Sequence, residues 1–282
     1  MRAPARFIGE IGNNHQGNPE LAERMTTDLC NAGVWGVKSQ KRDIESHPAW
    51  KTKTYDNPNS FGKTYYEHRK VLELDMSVHE RLLKICKERG VEYFCSAWDM
   101  KSVTDLFDIG CTTIKIPSSC NVRFDMLDAC RSLFKRIIIS TGMTTSEELD
   151  EIIDYVNRTA HDTDYVVMLC TSSYPCHPGD IHLALYDEYR SRLTGRVHVG
   201  FSGHHKGRAI DYAAYAMGCT YIERHVTTDV YLKGTDHAAA MEIPEVMSHL
   251  HGLEKIRLAI GDEDYQKSVC KCETSARAKL KE

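Results

Sequence analysis

Val197-His-Val-Gly-Phe-Ser-Gly-His-His-Lys-Gly207, followed by Tyr221-Ile-Glu-Arg-His-Val226 and then Gly234-Thr-Asp-His237, is the stretch from which the fold is read. Residues 197–201 are β-rich and are bounded by Gly200, Ser202 and Gly203. From Gly207 to Gly218 the apolar residues Ile210, Ala213, Ala214 and Met217 recur at helical spacing, and Tyr221-Ile222 starts a second β-like run. A β-α-β unit of this size makes its strands parallel, with a right-handed crossover, so both following loops emerge on the carboxyl-end side. His204 and His225 then meet at one end of neighbouring strands, beside Glu223 and Asp236. A single histidine among the 14 of this chain is more often a core or surface residue. Two at consecutive strand ends describe a metal site. Imidazole suits Mn, Fe or Zn, and two such ligands leave positions for water and substrate.

Outward from this unit the same alternation repeats eight times. The β-rich runs are 6–11, 36–40, 91–96, 112–116, 136–140, 165–170, 197–201 and 221–223. Helical segments begin near Pro19, Ser77, Met100, Arg123, Thr145, Ile181 and Gly207, and a last one runs from about Pro244 to Ile260. Eight β/α units in roughly 250 residues are the size and rhythm of a closed parallel (β/α)8 TIM barrel, a single α/β domain. A doubly wound open sheet is the competing fold. It would need a Gly-rich dinucleotide turn after the first strand, and Gly9-Glu-Ile-Gly12 is not one. The barrel is expected over residues 1–261, with a charged tail at 262–282 that is a solvated helix or a frayed end. One connection breaks the rhythm. Residues 41–76, with Lys41-Arg-Asp, Trp50, Tyr55, Phe61, Tyr65 and Tyr66, are too long for an ordinary βα loop. The aromatics point to a partly ordered lid over the active face, while the Lys, Asn and Ser content is compatible with disorder.

Composition narrows the function. A net charge of -4 on 282 residues gives no overall attraction to nucleic acid or to an anionic membrane. The first residues lack the apolar core of a signal peptide, and no run approaches the ~18 apolar residues of a membrane span. A cytoplasmic protein is expected, because 11 scattered cysteines, an odd number, fit reduced thiols better than a disulfide framework.

In such barrels chemistry sits at the carboxyl ends of the strands. Those ends carry Glu10; Lys38 and Gln40; Ser96 to Asp99; Lys115 and Ser118; Ser140; Ser172 and Tyr174; Ser202 and His204; Glu223 and His225. A buried lysine is costly without a counter-charge, so Lys38 and Lys115, on strands two and four, call for an anion between them. Lysine charge, hydroxyls and the capped helix start at Thr145-Ser-Glu-Glu148 are phosphate ligands. From the residues alone, the site suits a phosphorylated or doubly anionic substrate next to a divalent metal.

Taken together, Ile8-Gly-Glu-Ile-Gly-Asn-Asn-His-Gln-Gly17, Val37-Lys-Ser-Gln40, Lys115-Ile-Pro-Ser118, Ser140-Thr-Gly-Met143, Cys170-Thr-Ser-Ser-Tyr-Pro175, Gly200-Phe-Ser-Gly-His204, Ile222-Glu-Arg-His225 and Gly234-Thr-Asp-His237 resemble the N-acetylneuraminate (sialic acid) synthase family. The resemblance spans the whole catalytic barrel. It implies condensation of phosphoenolpyruvate with the open-chain aldehyde of an N-acylated hexose, giving a 2-keto-3-deoxy sugar acid and phosphate, with Mn2+ or Mg2+. Carried over by position, it implies His204 and His225 as metal ligands, and Lys38, Lys115, Ser118, Ser140, Ser172 and Ser202 as phosphoenolpyruvate ligands. Gln40, Tyr174 and Asp236 would face the sugar, and Glu10 and Glu223 would lie near the reacting carbons and water, with the base unassigned between them.

Several positions depart from the family pattern. Ala97 stands where a hydroxyl would touch phosphate, Cys120 where a sugar-binding carboxylate is found, and Gly203 where the family has aspartate. The sequence as given also lacks the family's C-terminal antifreeze-like domain, which leaves a homodimer less secure. A different aldose acceptor is therefore expected. A metal-dependent barrel aldolase acting on a phosphorylated sugar, and an inactive barrel retained as a binding subunit, are the two competing functions.

Overall fold

The structure is a computed structural model that describes residues 2–262 and 264–281. Eight strands, β1 (Arg6–Gly12), β2 (Gly36–Lys41), β3 (Glu92–Ala97), β4 (Thr113–Ile116), β5 (Arg136–Ser140), β6 (Asp164–Cys170), β7 (Val197–Gly203) and β8 (Tyr221–Thr227), run parallel in chain order. β8 pairs back onto β1, with His225 opposite Glu10, and closes the (β/α)8 barrel. A two-residue strand, β9 (Met241–Glu242), adds to the end of β8.

Among the described residues ten helices accompany the strands: α1 (Pro19–Ala32), α2 (Tyr65–Leu72), α3 (Met76–Glu88), α4 (Met100–Asp108), α5 (Phe124–Leu133), α6 (Ser146–Thr159), α7 (Leu185–Arg192), α8 (Ala209–Met217), α9 (Ile243–Ile260) and α10 (Thr274–Leu280). Local chemistry sets their starts. Asn18 accepts from the Leu21 N–H ahead of Pro19, Asp99 accepts from the Ser102 N–H, and Thr145 with Glu148 forms a reciprocal capping box.

Side chains alternate across each strand, which separates two cores. Outward-facing residues pack under the helices in one large cluster that includes Phe7, Val37, Cys95, Ala97, Ile137 and Val167. Inward-facing Ile8, Phe94, Ile138, Val166, Met168 and Tyr221 fill the barrel, with Trp35 packed against them at the amino-terminal end. Two residues beyond five of these six stand Glu10, Ser96, Ser140, Cys170 and Glu223, all of which line one cavity. The change from apolar floor to polar site thus happens within single strands.

Three details depart from the sequence expectation. β8 runs on to Thr227, so His225 sits inside a strand and not in the following loop. α8 buries Asp211, Ala214 and Tyr215, while Met217 is exposed, because Asp211 pairs with the buried Arg224 at 2.7 Å. α7 begins at Leu185, four residues after Ile181, behind a 3-10 turn at Pro178–Asp180.

The long connection after β2 is ordered. It contains 3-10 turns at Ile44–Ser46 and Pro48–Lys51, a bridge between Thr54 and Thr64, and α2. Rings hold it together: Trp50 meets Tyr65 at 4.9 Å, and Tyr55 meets Tyr65 at 5.2 Å and His68 at 4.8 Å. α2 docks on the β1–α1 turn, where Gly17, at φ +75°, lies so close to the Val71 carbonyl that a Cβ would sit 1.9 Å from its oxygen. After residue 261 the described residues form a 3-10 turn and α10, exposed throughout. All 11 cysteines are free thiols, and among the described residues no helix is long and apolar enough to cross a membrane.

Candidate active site

At the carboxyl ends of the strands a cavity of about 230 Å³ is lined by Glu10, Lys38, Gln40, Lys115, Ser118, Ser140, Ser172, Tyr174, Ser202, His204, Glu223 and His225. Every site residue expected from the sequence lies there except Asp236. Asp236 lines a second cavity of about 420 Å³, which shares Gln40, Trp98, Tyr174 and His225 with the first.

The floor of the inner cavity is a buried charge network. Lys38 Nζ lies 2.9 Å from Glu10 Oε2 and 3.6 Å from Glu223 Oε1, and Lys115 Nζ lies 2.7 Å from Glu223 Oε2. The counter-charges that the two lysines require are therefore already supplied by the protein. Ser96 accepts from Lys38 at 2.9 Å, and Ser202 donates to Glu223 at 3.1 Å. The two carboxyls are driven apart in acidity. Burial pushes Glu10 up to about 7, against the opposing pull of Lys38. Burial also opposes ionisation of Glu223, but Lys115 and Lys38 outweigh it and hold that carboxyl down at about 2. Gln40 Nε2 donates to Glu10 Oε1 at 3.0 Å and fixes its orientation.

One wall is made of hydroxyls around Gly142. Its N–H donates to Ser118 Oγ at 3.0 Å, and a Cβ there would lie 2.3 Å from Ser172 Oγ and 2.8 Å from Ser118 Oγ. Only glycine permits this close approach of two serines to backbone. Next to it, Met143 holds a left-handed φ of 57° and is 70% exposed at the rim.

His204 and His225 face each other with ring centroids 5.4 Å apart, and Tyr174 lies against both, at 4.1 and 5.7 Å. His204 Nδ1 is 2.8 Å from the Thr171 carbonyl, which only accepts, so Nδ1 carries a proton; burial opposes charging of the ring, but Cys170 and the Thr171 carbonyl outweigh it and raise its pKa above the ordinary value. Burial pushes His225 down to about 3, so it is neutral, and its buried Nδ1 has no hydrogen-bond partner. Asp236 Oδ2 stands 3.7 Å from that nitrogen. Among the described residues no group of three or more His, Cys, Asp or Glu side chains is arranged to hold a metal ion. The pair is a two-ligand arrangement, with the unpartnered His225 Nδ1 among its nitrogens, that would fit a cation completed by water or substrate.

Three positions singled out in the sequence are placed differently from expectation. Ala97 packs in the outer core, and the neighbouring Ser96 lines the cavity. Cys120 is buried against the Trp98 carbonyl and lines neither cavity. At Gly203 a Cβ would lie 2.7 Å from the Phe201 ring and 2.9 Å from His205, which leaves no room for aspartate without movement.

Cavity-lining residues that the sequence analysis gave no role include Cys170, Arg42 and Arg69. Cys170 could have been found, since it stands two positions after the inward Met168. Arg42 follows β2 directly. Arg69 depends on how the long connection folds back, which no local pattern discloses.

The sequence matches the NeuB family over residues 25–265. It is 33% identical to the N-acetylneuraminate-9-phosphate synthase of Drosophila melanogaster, over 97% of this chain and 79% of that protein. It is 34% identical to the N,N'-diacetyllegionaminic acid synthase of Legionella pneumophila, over 86% of this chain and 69% of that protein. In fold it resembles the crystal structure of the N-acetylneuraminic acid synthetase of Leptospira borgpetersenii, with a TM-score of 0.83, 24% identity and coverage of 99% and 93% of the two chains. A closed barrel with its polar residues gathered at one end, and a family match over most of its length, place this chain in the NeuB family.

Proposed function

We propose that this chain is a phosphoenolpyruvate-dependent synthase that joins phosphoenolpyruvate to the open-chain aldehyde of a sugar, giving a 2-keto-3-deoxy sugar acid and inorganic phosphate. The observation that carries this reading is the network of two lysines and two carboxyls beneath a wall of serines, opening beside a pair of histidines. Phosphoenolpyruvate is small enough for the inner cavity, and its carboxylate and phosphate suit a site that gathers two lysines and several hydroxyls. Lys38, Lys115 and the hydroxyls of Ser118, Ser140, Ser172 and Ser202 hold its anionic groups, with Gly142 letting two of those hydroxyls close in.

The chemistry balances as follows. C3 of the enol forms a bond to the aldehyde carbon, whose oxygen takes up a proton. Water adds at C2 and gives its proton to a base, and the C2–O bond to phosphate then breaks, leaving a ketone at C2. Glu10 is the base. Its carboxyl loses a proton near neutrality, Gln40 orients it, and Lys38 steadies the charge it gains and gives up. Glu223 stays ionised and holds Lys115 and Lys38 in place. Its role is electrostatic. His204 and His225 would hold a divalent cation such as Mn2+ or Mg2+, which when bound supplies Lewis-acid polarisation of the aldehyde. Gln40, Tyr174 and Asp236 line the outer cavity, where the acceptor sugar binds.

The test is inorganic phosphate release from phosphoenolpyruvate by the purified chain, with Mn2+, across aldoses of four to six carbons. Release that requires one aldose, and that His204→Ala abolishes, is the expected result. Aldose-independent release, or none with any aldose, would sink the reading.

A further inference from the structure

Two thiols on neighbouring helices touch each other. Cys30 stands in the last turn of α1 and Cys86 in the last turn of α3, helices packed side by side, and the two Sγ atoms lie 3.8 Å apart. Other buried thiols make different contacts: Cys95 meets the Tyr93 hydroxyl and the His79 ring, and Cys120 the Trp98 carbonyl. Cys30 keeps 8% of its surface exposed and Cys86 none, so an oxidant reaches Cys30 first. A hydrogen bond from Cys86 and the charge of Arg89 outweigh burial and hold the Cys30 thiol below its ordinary value, which favours the thiolate, while the same contact and burial push Cys86 up.

We propose that Cys30 and Cys86 are a redox pair, which a hydroperoxide converts to an intramolecular disulfide and a thiol reductant restores. The Cys30 thiolate attacks one peroxide oxygen, forming an S–O bond as the O–O bond breaks, and hydroxide leaves. The Cys86 sulfur then displaces the oxygen from the Cys30 sulfenic acid, and its thiol proton departs with that oxygen as water. In sum, two thiols and one hydrogen peroxide give one disulfide and two water molecules. The sulfurs close by roughly 2 Å on bonding.

The bond closes a covalent ring around residues 30–86, a segment that contains β2, the long connection and α2. That ring carries Lys38 and Gln40 of the inner cavity and Arg42, Tyr55, Tyr65 and Arg69 of the outer one. The pair itself lies at the opposite end of the barrel. The Cys86 carbonyl accepts from the Val91 N–H, just before β3, and the Leu29 carbonyl from the Val34 N–H, just before β2. Oxidation therefore staples the segment without entering either cavity, and ring closure stabilises the fold by restricting the unfolded chain. None of this depends on the reaction proposed above.

The test uses the full chain carrying Cys270→Ser and Cys272→Ser, which removes the two exposed thiols. This parent chain is treated with hydrogen peroxide, its remaining thiols are alkylated, and it is digested without reductant for mass spectrometry. The expected product is a pair of peptides linked between Cys30 and Cys86, two hydrogens lighter than the reduced pair and separated by dithiothreitol. Followed by circular dichroism, the oxidised chain melts about 5 °C or more above the reduced one, and dithiothreitol reverses the rise. In Cys86→Ala the link and the rise are lost, and dimedone captures Cys30 as the sulfenic acid. The link is read in the parent chain, so the test holds even where Cys86→Ala fails to fold. Cys30 and Cys86 both alkylated after peroxide, a link from either to another cysteine instead, or the Cys30 to Cys86 link without a higher melting temperature overturns the proposal.

Discussion

The two adjoining cavities are built by different means. The inner one is lined by residues on strand ends, two positions beyond the packed barrel interior, and its charges neutralise one another at 2.7 to 3.6 Å. The outer one is walled by Arg42, Tyr55, Asn57, Asn59, Tyr65 and Arg69 from the long connection after β2. Side chains on a closed barrel are fixed by hydrogen-bonded strands, whereas those on the connection are held by ring packing, a short helix and one isolated bridge. On the proposed reading, chemistry falls to the strand-borne half and acceptor choice to the half borne by the connection.

Substitutions can break that division. The largest effect is expected at Glu10→Gln. Loss of the base lowers kcat by about 10²–10⁴-fold, while calorimetry shows phosphoenolpyruvate still bound; an unchanged kcat would remove Glu10 from the chemistry. Gly142→Ala comes next. Its Cβ would displace Ser172 and Ser118, so the KM for phosphoenolpyruvate rises by about tenfold or more and the KM for the acceptor stays put. The mirror image is Tyr65→Ala, which removes the ring joining Trp50 and Tyr55. Steady-state kinetics then shows a higher acceptor KM, by roughly tenfold, with little change for phosphoenolpyruvate. Equal shifts in both constants would mean that the cavities are not separable.

Titration sharpens the same contrast. With Glu10 raised to about 7, the working form is the ionised one, so kcat/KM rises with pH through about 7 and levels off above it. Glu10→Gln abolishes that limb. The scaffold responds in the acid range. Burial holds His79, His205 and His249 down at about 3. A histidine whose folded value is depressed contributes its full stability above the unfolded value of about 6.5 and loses it as pH falls toward the folded one. Each contributes on the order of 1 to 2 kcal/mol of loss by pH 5. Melting temperatures followed by circular dichroism therefore drop by several degrees between pH 7 and pH 5.

Much of this was legible in the chain itself. Eight β/α units identify the barrel because strand and helix periods are local signals. The site residues on those strands follow from period two, since Glu10, Ser140 and Glu223 stand on the same face as Ile8, Ile138 and Tyr221. Ala97 shows the same rule neglected: one position from Ser96, it points the other way, into the outer core. What sequence did not disclose depends on distant partners. The buried Asp211 of α8 is explained only by Arg224 on β8. Arg69 reaches the cavity only because Gly17 lets α2 dock on the β1–α1 turn.

The most direct test of the account follows the oxygen that bridges C2 and phosphorus in phosphoenolpyruvate. The purified chain is given Mn2+, the accepted aldose and phosphoenolpyruvate labelled with ¹⁸O at that bridge, and the released phosphate is analysed by mass spectrometry. The account predicts one labelled phosphate for each keto acid formed, because the C2–O bond breaks. Unlabelled phosphate, or keto acid formed without matching phosphate, would contradict it.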